Sequence, residues 1–191
     1  MALHGFRRTR AGRVVIRLDS AERGLLRSLV EQLREMVQPA DGPDAAPTDP
    51  LARLVGIDPA ATTPTDPAML RLFPDAYGDD EPEATAEFRR FTERSLREGK
   101  LANAELVLSS LEGAGERLTL SPQDVQPWLG ALNDVRLTIG TRLGITEDIE
   151  DRRAFGADEA ELVAYDLYDW LTFLQETLVR AVMGLRPPDV S

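Results

Sequence analysis

The chain is 191 residues long, carries a formal net charge of −11, is 42% apolar, and contains one histidine and no cysteine. That length suffices for one domain with a full core, without metal or disulfide staples. The missing cysteine excludes disulfides, thiol catalysis and iron–sulfur ligation within these residues, and a lone His4 leaves neither a zinc site nor a histidine-based triad to build.

The acidic balance is uneven. Arg7, Arg8, Arg10, Arg13 and Arg17 open the chain without an acidic neighbour, and everything after them is collectively acidic, which argues against a broad nucleic-acid-binding surface. No apolar run approaches the roughly 20 residues needed to span a bilayer, and the first residues lack the apolar stretch of a signal peptide. A cytoplasmic location without membrane contact is expected.

From Phe6 to Leu18 the pattern predicts a short hairpin. Val14, Ile16 and Leu18 alternate with Arg13, Val15 and Arg17, and Ala11-Gly12 occupies the turn. Asp19 then offers an N-cap with Glu22 as its capping-box partner. The helix that follows is expected to bury Leu25, Leu26, Leu29, Val30, Leu33, Met36 and Val37.

Most of the thirteen prolines fall between Pro39 and Pro82. Residues 38–48 predict a mobile linker, while Asp49-Pro50 and Asp66-Pro67 each read as an N-cap followed by proline at the first helical position. Arg71 to Tyr77 is expected to be an ordered turn, because Leu72, Phe73 and Tyr77 need burial.

Glu83 to Leu111 reads as one long helix, or two separated at Gly99, with Phe88, Phe91, Ala102 and Leu106 along one side. The acidic run Asp79-Asp80-Glu81 with Glu83 lacks the spacing of a calcium loop and suits the positive end of a helix dipole. Arg117 to Leu120 predicts a third strand beside the hairpin. Ser121-Pro122 is expected to cap a helix reaching Leu143. A final helix, roughly Asp158 to Met183, is apolar over more than half its circumference, with Leu167, Trp170, Leu171, Leu174, Leu178 and Val182 as its main stripe. The fold class expected is therefore mainly α: four principal helices around one core, with a small antiparallel β-sheet, in a single domain spanning 1–191.

Arg136 stands out. On a helix from Pro122 to Leu143 it shares a stripe with Val125, Trp128, Leu129, Leu132, Val135, Ile139 and Leu143. A guanidinium cannot shed its proton, so burial demands a partner. Asp166 and Asp169 of the final helix, or Asp75 of the proline-rich turn, could form a bidentate pair that acts as a structural latch; an anion site with Asn133 beside it is the alternative. Gly140, at the edge of the same stripe, fits close approach by another helix.

The N-terminal arginines could grip a phosphate backbone or an acidic protein surface, or protect a sheet edge from pairing. Phosphate loops, dinucleotide fingerprints and nucleophile elbows are absent. Catalytic, cofactor and metal roles are therefore assigned to no residue. The candidate interaction residues are Arg7, Arg8, Arg10 and Arg13, with Tyr165 and Phe173 on the final helix.

Three segments together resemble a known family: Leu72-Phe73-Pro74-Asp75-Ala76-Tyr77; Glu87-Phe88-Arg89-Arg90 with Glu93; and Leu132 to Leu143 around Arg136. The hairpin with its capped helix and the closing Tyr168-Asp169-Trp170-Leu171-Thr172 extend the likeness over nearly the whole chain. The family is the actinobacterial one long filed as a domain of unknown function and later named for the oxidative-stress regulator AosR. The resemblance implies a non-enzymatic regulator of transcription or the oxidative-stress response, with the transcription machinery as protein partner. The alternative is an adaptor in Clp-linked proteolysis, implied by the family's gene neighbourhood. Redox sensing in that family is ascribed to a cysteine pair, which this chain lacks. Contact with DNA is disfavoured by charge, and the apolar final helix could pair with a second copy.

Overall fold

The computed structural model describes residues 4–38, 65–74, 82–113, 115–145 and 158–185. In chain order its elements are β1 (Arg7–Arg8), β2 (Val14–Arg17), α1 (Ser20–Val37), α2 (Pro67–Leu72), α3 (Pro82–Gly113), β3 (Arg117–Leu120), α4 (Val125–Arg142) and α5 (Glu159–Met183). The fold is mainly helical with a small antiparallel sheet, as the periodicities predict. The linker at 39–48, Asp49-Pro50, Asp75, Tyr77, the acidic run at 79–81 and the side chains of Phe88 and Phe91 lie outside the described residues.

The sheet order is β1-β2-β3. Arg7 pairs with Val15, and β2 pairs with β3 from Val14↔Leu120 to Arg17↔Arg117. Gly12 takes a φ of 78° at the hairpin turn, a conformation that favours glycine. Val14, Ile16, Leu118 and Leu120 enter the core. Val15 departs from simple alternation: it points away from them, yet is only 2% exposed.

Asp19 caps α1 as expected. Its Oδ1 accepts the Glu22 N–H at 2.8 Å, and the Asp19 N–H reaches the Glu22 carboxylate at 2.9 Å. Leu26, Val30, Leu33 and Val37 bury one stripe. Leu25 is not among them; about 100° off that stripe, it is 44% exposed.

Asp66 caps α2, accepting the Ala68 N–H at 2.7 Å, with Pro67 leading the helix. α3 runs unbroken through Gly99, so the division considered there does not occur. α4 starts at Val125, later than Pro122. The Asp124 carboxylate accepts the Ser121 N–H at 2.8 Å, and the Asp124 N–H returns to the Ser121 carbonyl. Residues 121–124 thus close a turn of their own before the helix begins.

α5 opens with a second capping box, Asp158 with Glu161. It stops at Gly184 (φ 73°), where the Leu185 N–H bonds the Arg180 carbonyl at 2.8 Å, a left-handed cap that glycine accommodates. Tyr165, Leu171, Leu174, Thr177, Leu178 and Ala181 are its buried residues. Val182, expected in the stripe, is 42% exposed.

α1 packs on α3, α3 on α4, and α4 on both α2 and α5, while α5 also touches β1 and β2. One hydrophobic cluster draws on the sheet and on every helix. Phe6 and Trp128 meet edge to face at its centre, 5.7 Å between rings. The Phe6 N–H donates to the buried Thr177 hydroxyl at 3.0 Å, tying the residue before β1 to the last helix.

Candidate functional site

Turning Val14, Ile16, Leu118 and Leu120 inward leaves the alternate positions of the sheet facing out. Arg7, Arg8, Arg10, Arg13, Arg17 and Arg117 are all exposed. Arg17 and Arg117 stand directly opposite each other on neighbouring strands, an arrangement of like charges that weakens a sheet unless something anionic offsets it. Among the described residues no carboxylate forms an ion pair with any of the six. The result is a cationic face on an acidic chain. Arg8 differs from the others. Its Nη1 lies 3.1 Å from where a β-carbon on Gly184 would stand, beside the carbonyl end of α5, where a cation complements the helix dipole.

A second charged group lies between helices. The Lys100 ammonium donates to Asp134 Oδ1 at 2.7 Å across the α3–α4 contact, with the two side chains 18% and 6% exposed. Burial pushes the Asp134 carboxyl above the usual carboxylate range, and the bond and charge of Lys100 pull it back only in part. One turn earlier on α3, Arg97 bonds Glu93 through Nε and Nη2 at 3.0 and 2.6 Å. Its Nη1 donates to the Val37 carbonyl at the end of α1 at 3.0 Å. The guanidinium carbon of Arg97 and the Lys100 nitrogen lie 4.6 and 5.8 Å from the Phe73 ring centre, within cation–π range. One helix of charged side chains thereby fastens α1, the end of α2 and α4.

Arg136 is half-buried, and its described partner is neither aspartate. Its Nη1 donates to the Tyr168 hydroxyl at 3.2 Å, and its guanidinium carbon lies 5.8 Å from that ring's centre. The Nε is buried without a hydrogen-bond partner. Asp166 and Asp169 are exposed on α5, because the helical turn that aims Tyr168 at α4 rotates its neighbours away. Asp75 lies outside the described residues. Gly140 does admit a close neighbour: a β-carbon there would stand 3.0 Å from Tyr168 Cε2. Arg136 and Gly140, one turn apart, together cradle one aromatic ring.

Two further candidates change standing. Tyr165 is 1% exposed, so it is enclosed within the chain and offers no surface for a partner. Phe173 is partly buried against the core. Exposed apolar groups of α5 lie instead at Leu162, Val163, Val179 and Met183. Among the described residues no three of His, Asp and Glu converge as a metal site requires, and no helix is long and apolar enough to cross a membrane.

The family model described as Domain of unknown function (DUF2017) matches residues 3–182. The chain belongs to this family. It is similar to the oxidative stress regulator AosR of Mycobacterium bovis (strain ATCC BAA-935 / AF2122/97), 32% identical over 178 residues, covering 86% of this chain and 80% of the relative. The same figures hold for AosR of Mycobacterium tuberculosis (strain ATCC 25618 / H37Rv). No solved structure matches.

Within this DUF2017 chain, the Lys100–Asp134 pair is what reading the residues one by one misses. Both carried a signal: Lys100 is the only lysine, and Asp134 stands between Leu132 and Val135 on a helix whose neighbouring positions are buried. The Arg97–Glu93 spacing of one helical turn was equally visible. Its reach to Val37, 60 positions away, was not.

Proposed function

We propose that this protein is a non-enzymatic regulator of the oxidative-stress response that acts through protein contacts with the transcription machinery, without a cysteine switch. The observation that carries the reading is the 32% identity to a protein named an oxidative stress regulator, spread over 80% of that relative's length. The cationic sheet face supports a contact mechanism: Arg7, Arg17 and Arg117 are exposed and lack an ion-pair carboxylate among the described residues, and the fixed strand register sets their spacing. An acidic protein surface complements such a face. A nucleic acid would also meet the remaining acidic surface of a chain with net charge −11.

The test is affinity capture of the full chain from its native host under peroxide stress, beside an Arg7→Ala/Arg17→Ala/Arg117→Ala variant. Co-purification of RNA polymerase or a sigma factor with the parent, lost in the variant, supports the reading. Capture of Clp components instead replaces it with an adaptor role in proteolysis, and equal capture by parent and variant removes the arginines from the contact. The exposed apolar residues of α5 are the surface on which a second copy would pair, which light scattering over a concentration series decides.

A further inference from the structure

The last turns of α1 and α4 border an open groove of about 400 Å³. Leu29, Leu33, Met36, Val135 and Ile139 form its apolar wall, and Arg142 stands at its rim. Met36 is only partly buried, and Arg142 Nη2 points at its sulfur from 3.9 Å. Arg142 has no ion pair among the described residues. Its guanidinium therefore faces a thioether, one of the weakest acceptors a protein offers.

We infer that Met36 is a reversible oxidation site, with Arg142 as the donor that holds its sulfoxide. The sulfur lone pair attacks one oxygen of hydrogen peroxide; the O–O bond breaks as the S–O bond forms. Sulfur is oxidised by two electrons, the peroxide is reduced, and the proton on the transferred oxygen leaves with the departing hydroxide as water. The 3.9 Å separation exceeds an ordinary N–H···O bond by roughly 1 Å. That is room for an oxygen seated on the sulfur, off the line of centres, within hydrogen-bond distance of Nη2. Oxidation exchanges a feeble contact for a charge-assisted bond and puts a polar group on the wall between α1 and α4. Sulfoxide reductases restore the thioether.

Two other methionines provide internal comparison. Met183 is 67% exposed, and Met69, like Met36, is partly buried against the core; neither has a comparable donor among the described residues. Met183 oxidation is controlled by exposure alone. At Met36 the product has a partner already in place.

The chemistry stands on this geometry, while its use as a stress signal rests on the regulatory reading above. The test exposes the full chain to graded hydrogen peroxide, maps sulfoxide by peptide mass spectrometry, and follows amide exchange in α1 and α4. Met36, which lines the groove, is expected to oxidise after the more exposed Met183 and before Met69, with exchange slowing in the last turns of α1 and α4. Arg142→Ala should leave Met36 oxidation in place and abolish the slowing, Met36→Leu should lose the slowing while Met183 still oxidises, and reductase treatment should reverse it. Met36 remaining reduced after Met69 is converted overturns the inference, as does identical slowing in Arg142→Ala. Failure to capture transcription proteins leaves the peroxide result intact, so the two readings fall separately.

Discussion

Lys100 and Asp134 meet at 2.7 Å between α3 and α4, both largely removed from solvent. Removing one partner from such a pair leaves a desolvated charge behind, at a cost of about 3–5 kcal/mol. Lys100→Met should therefore destabilise the protein by about that amount in urea unfolding, and Lys100→Met/Asp134→Leu should recover much of it. A double variant as weak as the single one would mean that packing, rather than the stranded carboxylate, set the loss.

The same aspartate predicts a pH dependence. Its carboxyl is raised in the folded protein, so over the window between the ordinary carboxylate range and the raised value the folded state binds more protons than the unfolded one. The contribution of Asp134 to stability then falls as pH rises through that window. Stability curves of the parent and of Asp134→Asn between neutral and mildly acidic pH should converge in the parent's favour on acidification. A parent that loses ground on acidification reverses the sign.

Arg136 presents a contrast. Its described hydrogen bond goes to a neutral hydroxyl, and its Nε has no partner, so Arg136→Met gives up one bond while relieving one orphaned donor. The expected loss is about 1 kcal/mol, well below that of Lys100→Met. Tyr168→Phe should cost a similar amount, and a double-mutant cycle should show the two losses to be shared. Thermal melting with a large loss for Arg136→Met alone would place a carboxylate on it after all.

At the other end of the chain, Thr177 both accepts the Phe6 N–H and donates to the Leu174 carbonyl. Thr177→Val keeps the shape and strands a buried N–H, for about 1–3 kcal/mol. Gly5→Ala should be damaging too, since its β-carbon would stand 2.6 Å from Thr177 Cγ2. Gly130→Ala meets only the mobile end of Asn103 at the same distance, so it should be milder. Equal melting temperatures for the two alanine variants would refute this account.

The opposed Arg17 and Arg117 predict a separation of stability from the proposed partner contact. Arg117→Thr removes a cross-strand repulsion and should leave melting unchanged or raised at low salt, with the difference fading as salt is added. Partner capture should weaken. Destabilisation at low salt would show instead that the guanidinium stems pack on the sheet.

Much of the architecture was legible because local rules and tertiary packing agree along it. The Asp19–Glu22 box, the Asp66-Pro67 start, the sheet alternation and the apolar stripes each depend on a few neighbouring residues. The site was less legible, for a geometric reason. Periodicity places Arg136 on a face but does not say which turn of α5 opposes it, and a rotation of one residue exchanges Asp169 for Tyr168. Likewise, it gives Val15 to the outer face and Tyr165 to the partner side of α5, although both are enclosed. Lys100 and Asp134 lie 34 positions apart, and no helical spacing joins them.

The bond between Phe6 and Thr177 spans 171 positions, and β2 pairs with a strand reached only after α3. During synthesis the arginines of the hairpin emerge before β3 and α5, and the surface that aligns them is complete only once β3 has docked and α5 has closed over the hairpin. Long-range closures of this kind come late in folding. A chain stopped before α5 therefore displays the charge without the spacing, and any recognition that depends on the spacing has to wait for α5.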